Sequence, residues 1–296
     1  MDIRDGVCAY LQGGFGNQLF ILAAAWQQAI RLNVPLYIDA SRFTGRDRLE
    51  VGYETPRDFA LGDLALPGTV IVEESPWLRN SPRRPRGLRR TVASRRLKVF
   101  RETTPGDIDA LDKIVPGTTL FGYFQSPRYF TQIDERVAAM LFSRPSDSAS
   151  RNHATSEHTT VHLRRGDYMD PAVARHHGLA TADYVRRALA LLRTMQPSWP
   201  ALVYSDSPEV ARRELADLDD VTFVDESAGP LSDLETLVEM SRGNAFVMSN
   251  SSFSWWAAWL MSQRSDGLVI APRPWSANGD SGHQLLLPNW VTLDAR

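Results

Sequence analysis

The feature that most constrains this fold is the alternation of short apolar segments with segments of helical periodicity. In the C-terminal half, apolar segments at 161–163, 201–204, 221–224, 245–248 and 268–271 alternate with helical patterns near 182–195, 207–217, 231–241 and 252–262. In the N-terminal half, a helical pattern over 19–32 lies between apolar segments at 7–11 and 36–39, and shorter strands are predicted at 70–72, 98–100 and 119–124. Strands that alternate with helices indicate a parallel sheet covered on both faces. We therefore predict an α/β chain with two Rossmann-like, doubly wound domains.

A polar segment between residues 144 and 160 separates the two halves. It is rich in Ser, Thr, Asn, Asp and His and shows no periodicity, as is typical of a linker. The chain of 296 residues is long enough for two domains of ordinary size. We predict an N-terminal domain over 1–150 and a C-terminal domain over 158–296, facing each other across a cleft. Sheets of this kind bind ligands at the carboxyl ends of their strands.

Composition and charge exclude several classes of function. A formal net charge of −2 argues against a general nucleic-acid binder. The single cysteine, Cys8, excludes an internal disulfide framework and is typical of a reducing cytosol. Neither a signal peptide nor an apolar run of about 20 residues is visible, so we expect a cytoplasmic protein. The segment 79–101 is strongly basic, and it is either a solvated loop or a mobile segment that contacts an anionic acceptor or the inner face of the membrane.

Two adjacent arginines follow the first strand of the C-terminal half. His162 lies on that strand, and Arg164 and Arg165 follow it directly beside Asp167. Arginine binds phosphate through two parallel hydrogen bonds and stays charged at neutral pH. This pattern predicts an anion site at the strand end. The alternative is a solvated strand end with a local Arg–Asp pair.

A second polar cluster enters an aromatic helix after the strand at 245–248. Its residues are Asn250, Ser251, Ser252 and Phe253. A helix N-terminus offers unpaired N–H groups and a positive dipole end, and serine hydroxyls can complete a phosphate cradle. The alternative is ordinary N-capping. The tryptophans that follow are interpreted as core residues.

Two further strand ends carry candidate polar residues. Asn17 lies in a glycine-rich turn that lacks the third glycine of the dinucleotide fingerprint, so a plain βα turn is the alternative. Asp206 follows the strand at 201–204 and could accept hydrogen bonds from a guanine edge or from ribose hydroxyls, or it could cap the next helix.

No metal site is predicted. His176 and His177 are adjacent and point apart on any regular element. Residues 217–220 resemble the Asp-x-Asp metal motif of some sugar transferases, but we interpret them as a solvated helix end.

Three long motifs, in this order, resemble the bacterial alpha-1,2-fucosyltransferase family, glycosyltransferase family 11. They are GGFGNQLF at 13–20, HLRRGDY at 162–168 and SNSSFSWW at 249–256. Shorter matches are GYFQS at 122–126, YSD at 204–206, and Ala271-Pro272 with Trp275, so the resemblance runs from about residue 7 to about residue 293.

The resemblance implies an inverting, metal-independent transferase of GT-B type. Its sugar donor would be GDP-beta-L-fucose, and it would form an alpha-1,2 link to a sugar hydroxyl, usually on galactose. In related fucosyltransferases the first arginine of the His-x-Arg-Arg motif binds the pyrophosphate of the sugar donor, a role that falls on Arg164. The expected catalytic residues are Arg164, Arg165 and Asp167. The expected residues for GDP-sugar binding are Asn17, His162, Arg164, Asp206, Asn250, Ser251, Ser252 and Phe253.

Some parts of this interpretation stay open. The expected partners are a GDP-sugar and an oligosaccharide or lipid-linked glycan acceptor, without nucleic acid, cofactor or metal. One alternative keeps the fold and reaction but uses another GDP-deoxysugar. Another is a sugar-nucleotide-binding protein without catalysis. Asp167 is the carboxylate nearest the arginines, and the identity of any catalytic base is open.

Overall fold

The computed structural model describes two compact units, formed by Met1–Met140 and Leu141–Arg296. The described residues are 3–43, 57–71, 98–143, 157–166, 180–224, 231–277, 279 and 282–296. Asp167, the His176-His177 pair and residues 79–97 of the basic segment lie outside this set. The polar linker is also outside it over 144–156.

The N-terminal unit is built on a five-stranded parallel sheet. Its strands are β1 (Val7–Tyr10), β2 (Leu36–Asp39), β3 (Thr69–Ile71), β4 (Lys98–Arg101) and β5 (Thr118–Phe121). Its described α-helices are α1 (Phe15–Leu32) and α2 (Asp134–Phe142), and α2 continues two residues past the unit boundary at Met140. The strand order is β3-β2-β1-β5-β4, so the order reverses between β1 and β5. All four residues of β1 are buried, as expected for a central strand that is covered on both faces.

Helix α1 begins four residues earlier than the apolar pattern predicts. Gly13 has a φ of 73° and Gly14 is the N-cap, so the turn is short and the helix begins at Phe15. Gln18 is fully buried in the first turn. Its amide nitrogen donates to the carbonyls of Gly13 and Asp58, and its amide oxygen accepts from the N–H of Ala60. Gln18 therefore holds the glycine turn against the segment that follows 57.

Strand β5 ends at Phe121, three residues before the end of the predicted strand. The buried Phe124 adopts a left-handed conformation with a φ of 51°. One oxygen of the Glu102 carboxylate accepts from the N–H groups of Tyr123 and Phe124, at 3.1 and 2.7 Å. These bonds take the place of strand pairing, and they hold Phe124 in a conformation that a bulky residue rarely adopts.

The C-terminal unit is built on a six-stranded parallel sheet. Its strands are β6 (Thr159–Leu163), β7 (Ala201–Ser205), β8 (Val221–Phe223), β9 (Ala245–Val247), β10 (Leu268–Arg273) and β11 (Val291–Asp294). The order is β11-β10-β9-β6-β7-β8, which is the Rossmann order with its reversal between β6 and β9. The prediction of an α/β chain with a Rossmann-like sheet in each half is confirmed. Strand β11 was missed, because it is short and only partly buried.

Four α-helices are described in the C-terminal unit: α3 (Ala182–Met195), α4 (Pro208–Glu214), α5 (Asp233–Met240) and α6 (Ser252–Ser262). Helix α5 begins with a reciprocal capping box between Ser232 and Glu235. The three tryptophans of α6 are buried, and the indole N–H of Trp255 donates to the carbonyl of Leu285 at 2.6 Å. Their interpretation as core residues is confirmed. None of the described helices is long and apolar enough to cross a membrane.

Candidate functional site

The candidate site lies where β6 and β9 end, at the strand-order reversal of the C-terminal sheet. His162 Nδ1 and Ser249 Oγ lie 3.0 Å apart in a hydrogen bond that joins the ends of these two strands. The Phe253 ring lies 5.8 Å from the His162 ring, centroid to centroid. In sheets of this order, a crevice for ligands opens between the strands at this point. Three of the predicted residues, His162, Arg164 and Asp206, and the segment that begins at Ser249 therefore lie at one edge of the sheet.

His162 is a neutral group at physiological pH. Burial lowers its pKa to about 4, and the positive charges of Arg164 and Arg165 act in the same direction, whereas the Asp206 carboxylate opposes them. An uncharged imidazole can hydrogen-bond through both ring nitrogens, as a donor at one and an acceptor at the other. His162 therefore contributes hydrogen bonds and no positive charge to the site.

Arg164 places a partly accessible guanidinium at the end of β6. Its Nη1 lies 2.9 Å from the Asp206 Oδ2, and the two side chains are 21% and 25% exposed. The guanidinium presents its N–H donors in a planar fork, a geometry that matches carboxylate and phosphate oxygens. Arg164 is thus a cationic group that solvent, and hence a ligand, can reach.

Arg165, by contrast, is buried, with only 2% of its side chain exposed. Its Nε and Nη2 donate to the Glu214 Oε2 at 2.8 and 2.6 Å. Its Nη1 donates to the carbonyls of Arg164 and Ala180 at 2.9 and 3.1 Å. The two neighbouring arginines therefore have different surroundings, and the guanidinium of Arg165 is held by the protein itself.

Asp206 binds the segment that carries Arg164. Its Oδ1 accepts from the backbone N–H groups of Arg165 and Gly166, at 2.7 and 3.0 Å. A Cβ at Gly166 would lie 2.3 Å from the Asp206 Oδ2, so any larger residue at this position would displace the carboxylate. Ser205 adds a further link, since its hydroxyl donates to the carbonyl of Leu163 at 2.7 Å.

The second polar cluster lies at the N-terminus of α6. Ser251 is the N-cap, and its hydroxyl accepts from the N–H of Phe253. The Asn250 amide donates to the carbonyl of Trp275 at 3.2 Å and accepts from the N–H of Ala180 at 3.3 Å. Ser252 and Phe253, the first residues of α6, are half-buried. Ser251 thus has the capping contact that was the alternative to ligand binding, and Asn250 holds two neighbouring loops.

Asn17 belongs to the N-terminal unit, where it lies at the strand-order reversal between β1 and β5. Its Oδ1 accepts from the Gln125 Nε2 at 2.7 Å. The nearby Gln12 Nε2 donates to the carbonyl of Gly122 at 3.3 Å. These two bonds join the segments that follow β1 and β5. Gln125 was not among the predicted site residues, although it lies within the short motif at 122–126. The approach of Asn17 to the residues of the C-terminal unit that are predicted to bind the GDP-sugar stays a prediction.

Two of the three carboxylates in the segment 217–220 pair with arginines. Arg186 pairs with Asp217 at 2.7 Å, and this contact lowers the pKa of the Asp217 carboxyl. Arg193 pairs with Asp220. Over the described residues, no group of three His, Cys, Asp or Glu side chains could hold a metal ion. The interpretation of this segment as a solvated helix end fits the exposure of Asp217 and Asp220, which are 57% and 47% exposed.

The model of the family Glycosyl transferase family 11 matches residues 112–294. The O-antigen biosynthesis glycosyltransferase WbnK of Escherichia coli is 26% identical over 306 residues, which cover 96% of this chain and 99% of that protein. An alpha-1,2-colitosyltransferase of Escherichia coli is 24% identical over 288 residues, which cover 91% of this chain and 92% of that protein.

Among solved structures, fucosyltransferase NodZ from Bradyrhizobium is similar with a TM-score of 0.47 and 18% identity, over 85% of this chain and 92% of that one. The family match spans more than half of the sequence and includes the whole of the C-terminal sheet with the arginine and serine motifs. The chain therefore belongs to glycosyl transferase family 11, the family that its three long motifs resemble.

Proposed function

We propose that this glycosyltransferase moves L-fucose from GDP-beta-L-fucose to the 2-hydroxyl of a galactoside acceptor, with inversion and without a metal ion. Membership of family 11 supports glycosyl transfer, and the similarity to an O-antigen glycosyltransferase supports an acceptor in surface glycan synthesis. The sugar donor, the linkage and the absence of a metal are parts of the proposal.

The single observation that carries the proposal is the position of Arg164. It is a reachable guanidinium at the strand-order reversal of a Rossmann-ordered sheet, close to the neutral His162. When the bond between sugar and phosphate breaks, negative charge grows on the departing GDP. A guanidinium that is already held in place can stabilise this charge, and one such hydrogen-bond donor contributes about 3–4 kcal/mol by analogy with oxyanion holes.

The other residues of the site support Arg164 in different ways. The buried Arg165 contacts Glu214 and two carbonyls, so we assign it the positioning of the Arg164 backbone rather than contact with the substrate. The N-terminus of α6, capped by Ser251, places a positive dipole end near the same edge. Asp167 stays the candidate for a carboxylate beside the arginines.

Transfer without a metal agrees with the arginine partners of Asp217 and Asp220. A carboxylate that is bonded to a guanidinium is a poor ligand for a divalent cation, because binding the cation would break the ion pair. Charge on the leaving GDP would then be balanced by Arg164 and by backbone N–H groups. We expect EDTA to leave the rate of transfer unchanged and added Mg²⁺ or Mn²⁺ not to raise it.

A second candidate keeps the reaction and changes the sugar. One of the two relatives is an alpha-1,2-colitosyltransferase, and it covers nearly the same part of this chain as the O-antigen glycosyltransferase. Contacts to GDP would be the same for either donor, so the site described above does not discriminate between them. For the basic segment at 79–101 both interpretations are kept, a solvated loop or a segment that contacts an anionic acceptor or the inner face of the membrane.

A donor panel tests both candidates. Purified protein is incubated with GDP-fucose, GDP-colitose, GDP-mannose or UDP-galactose and with galactoside acceptors, with and without EDTA, and the linkage of the product is assigned by NMR. Alpha-1,2 transfer from GDP-fucose supports the first candidate, and selective transfer from GDP-colitose supports the second. Tight GDP binding without turnover of any donor would contradict both and favour a binding protein. Arg164→Ala is the control for turnover by a contaminating enzyme.

A further inference from the structure

We propose that Asp206 is a positioning residue, which orients the Arg164 guanidinium towards the diphosphate of the sugar donor and does not contact the guanine base. The inference rests on the proposed function, because it takes the diphosphate of a GDP-sugar as the ligand of Arg164. It departs from the sequence-based expectation that the Asp206 carboxylate accepts hydrogen bonds from the nucleoside.

Both carboxylate oxygens of Asp206 already have partners within the protein. Oδ1 accepts two backbone N–H groups, from Arg165 and Gly166, and Oδ2 pairs with the Arg164 Nη1. Gly166 also approaches Oδ2 so closely that a Cβ would lie 2.3 Å from it. To bind this carboxylate, a guanine edge would have to displace these contacts or donate to a lone pair that they leave unused. The carboxylate is therefore directed at the segment 164–166.

The contacts also explain why an acidic group stands close to an anion site. A negative charge beside a diphosphate weakens binding in the ground state, so an acidic residue must contribute something else there. The ion pair restricts the long Arg164 side chain, which would otherwise sample many rotamers at the end of β6. A fork that is held in one orientation favours the bidentate contact that the leaving diphosphate needs. Asp206 thus contributes to the rate and opposes affinity.

The variant Asp206→Asn separates these roles. An asparagine can still accept the two N–H bonds through its amide oxygen, but it cannot form the ion pair with Arg164. We expect kcat to fall by about a hundredfold, as for a misplacement of about 1 Å at a reacting group. Because a negative charge beside the ligand is removed, we expect the Kd of GDP to be unchanged or lower. A nucleobase contact predicts the opposite pattern, in which the Kd of GDP rises.

Inosine diphosphate gives a second readout that does not need turnover. It lacks the 2-amino group of guanine, which is a hydrogen-bond donor that a carboxylate could accept. If Asp206 only orients Arg164, calorimetry finds the same ratio of GDP to inosine diphosphate affinity in the wild type and in Asp206→Asn. Loss of that preference in the variant, or a wild-type kcat, would overturn the proposal.

Two further variants control for folding and for charge. Asp217→Asn breaks a comparable pair with Arg186 at a different place on the same unit, so wild-type kcat and GDP affinity are expected. Asp206→Ala also removes the oxygen that accepts both backbone N–H groups, and we expect it to lower Tm as well as kcat. If the wild type transfers no sugar from any GDP donor, the proposed function fails, and the two-nucleotide binding comparison still decides whether Asp206 contacts the base.

Discussion

The buried contact between Arg165 and Glu214 allows a quantitative prediction. The change is Glu214→Ala, which removes both charge-assisted hydrogen bonds to Nε and Nη2 and leaves the guanidinium with two carbonyl partners. Breaking a fully buried ion pair by removing one partner costs about 3–5 kcal/mol. The Glu214 side chain is 31% exposed, so water can reach part of the guanidinium after the change. We therefore expect the free energy of unfolding to fall by about 2–3 kcal/mol.

A loss of this size is measurable by thermal unfolding. For a domain of roughly 150–250 residues, each kcal/mol lowers Tm by about 2–4 °C, so the expected decrease is about 4–12 °C. Circular dichroism would follow unfolding of the purified variant and the wild type in the same buffer. We also expect a lower rate of transfer, because Arg165 holds the carbonyl of Arg164.

The matched control is Asp217→Ala, which breaks an arginine pair on the outer surface of the same unit. Exposed ion pairs contribute little to the stability of the folded protein, so no measurable change in Tm is expected. If Glu214→Ala unfolded at the wild-type temperature, the buried pair would not stabilise the unit, and the positioning role given to Arg165 would be refuted.

Three further predictions concern residues of the site. Arg164→Ala should slow transfer on the order of a hundredfold and weaken GDP binding less. Arg164→Lys should also transfer slowly, because lysine lacks the planar fork of the guanidinium. A near wild-type rate in either folded variant would make Arg164 a structural residue. The pKa of His162 is about 4 in the folded protein, against the ordinary histidine value of 6.5 in the unfolded chain. The unfolded chain therefore binds the proton more readily as pH falls from about 6.5 towards 4. His162 therefore makes the wild type lose on the order of 3 kcal/mol over this range, and unfolding of His162→Gln measured at pH 7 and pH 4 should show a smaller loss; equal losses would contradict the burial argument. Gly166→Ala should lower both the transfer rate and Tm, because the added methyl group displaces the Asp206 carboxylate that accepts two backbone N–H groups; an unchanged rate would show that this carboxylate is not needed in its present place.

The sequence by itself determined the fold class, because the two periodicities of strand and helix are local properties of the chain. It also placed His162 on a strand and Arg164 directly after it, as the structure has them. Two features of the strands could not be predicted from local periodicity. Strand β11 is too short and too exposed to show a clear pattern, and the end of β5 depends on Glu102, which accepts backbone N–H groups from residues more than 20 positions away.

Only the tertiary structure decided how the two adjacent arginines differ. The sequence shows two equivalent guanidiniums, and their partners are distant along the chain. Glu214, which binds the side chain of Arg165, is 49 residues away, and Asp206, which accepts from its backbone, is 41 residues away. Burial and ion pairing depend on which strands and helices come together, and local periodicity carries no information about that. For the same physical reason, the structure and not the motif distinguished the accessible Arg164 from the buried Arg165.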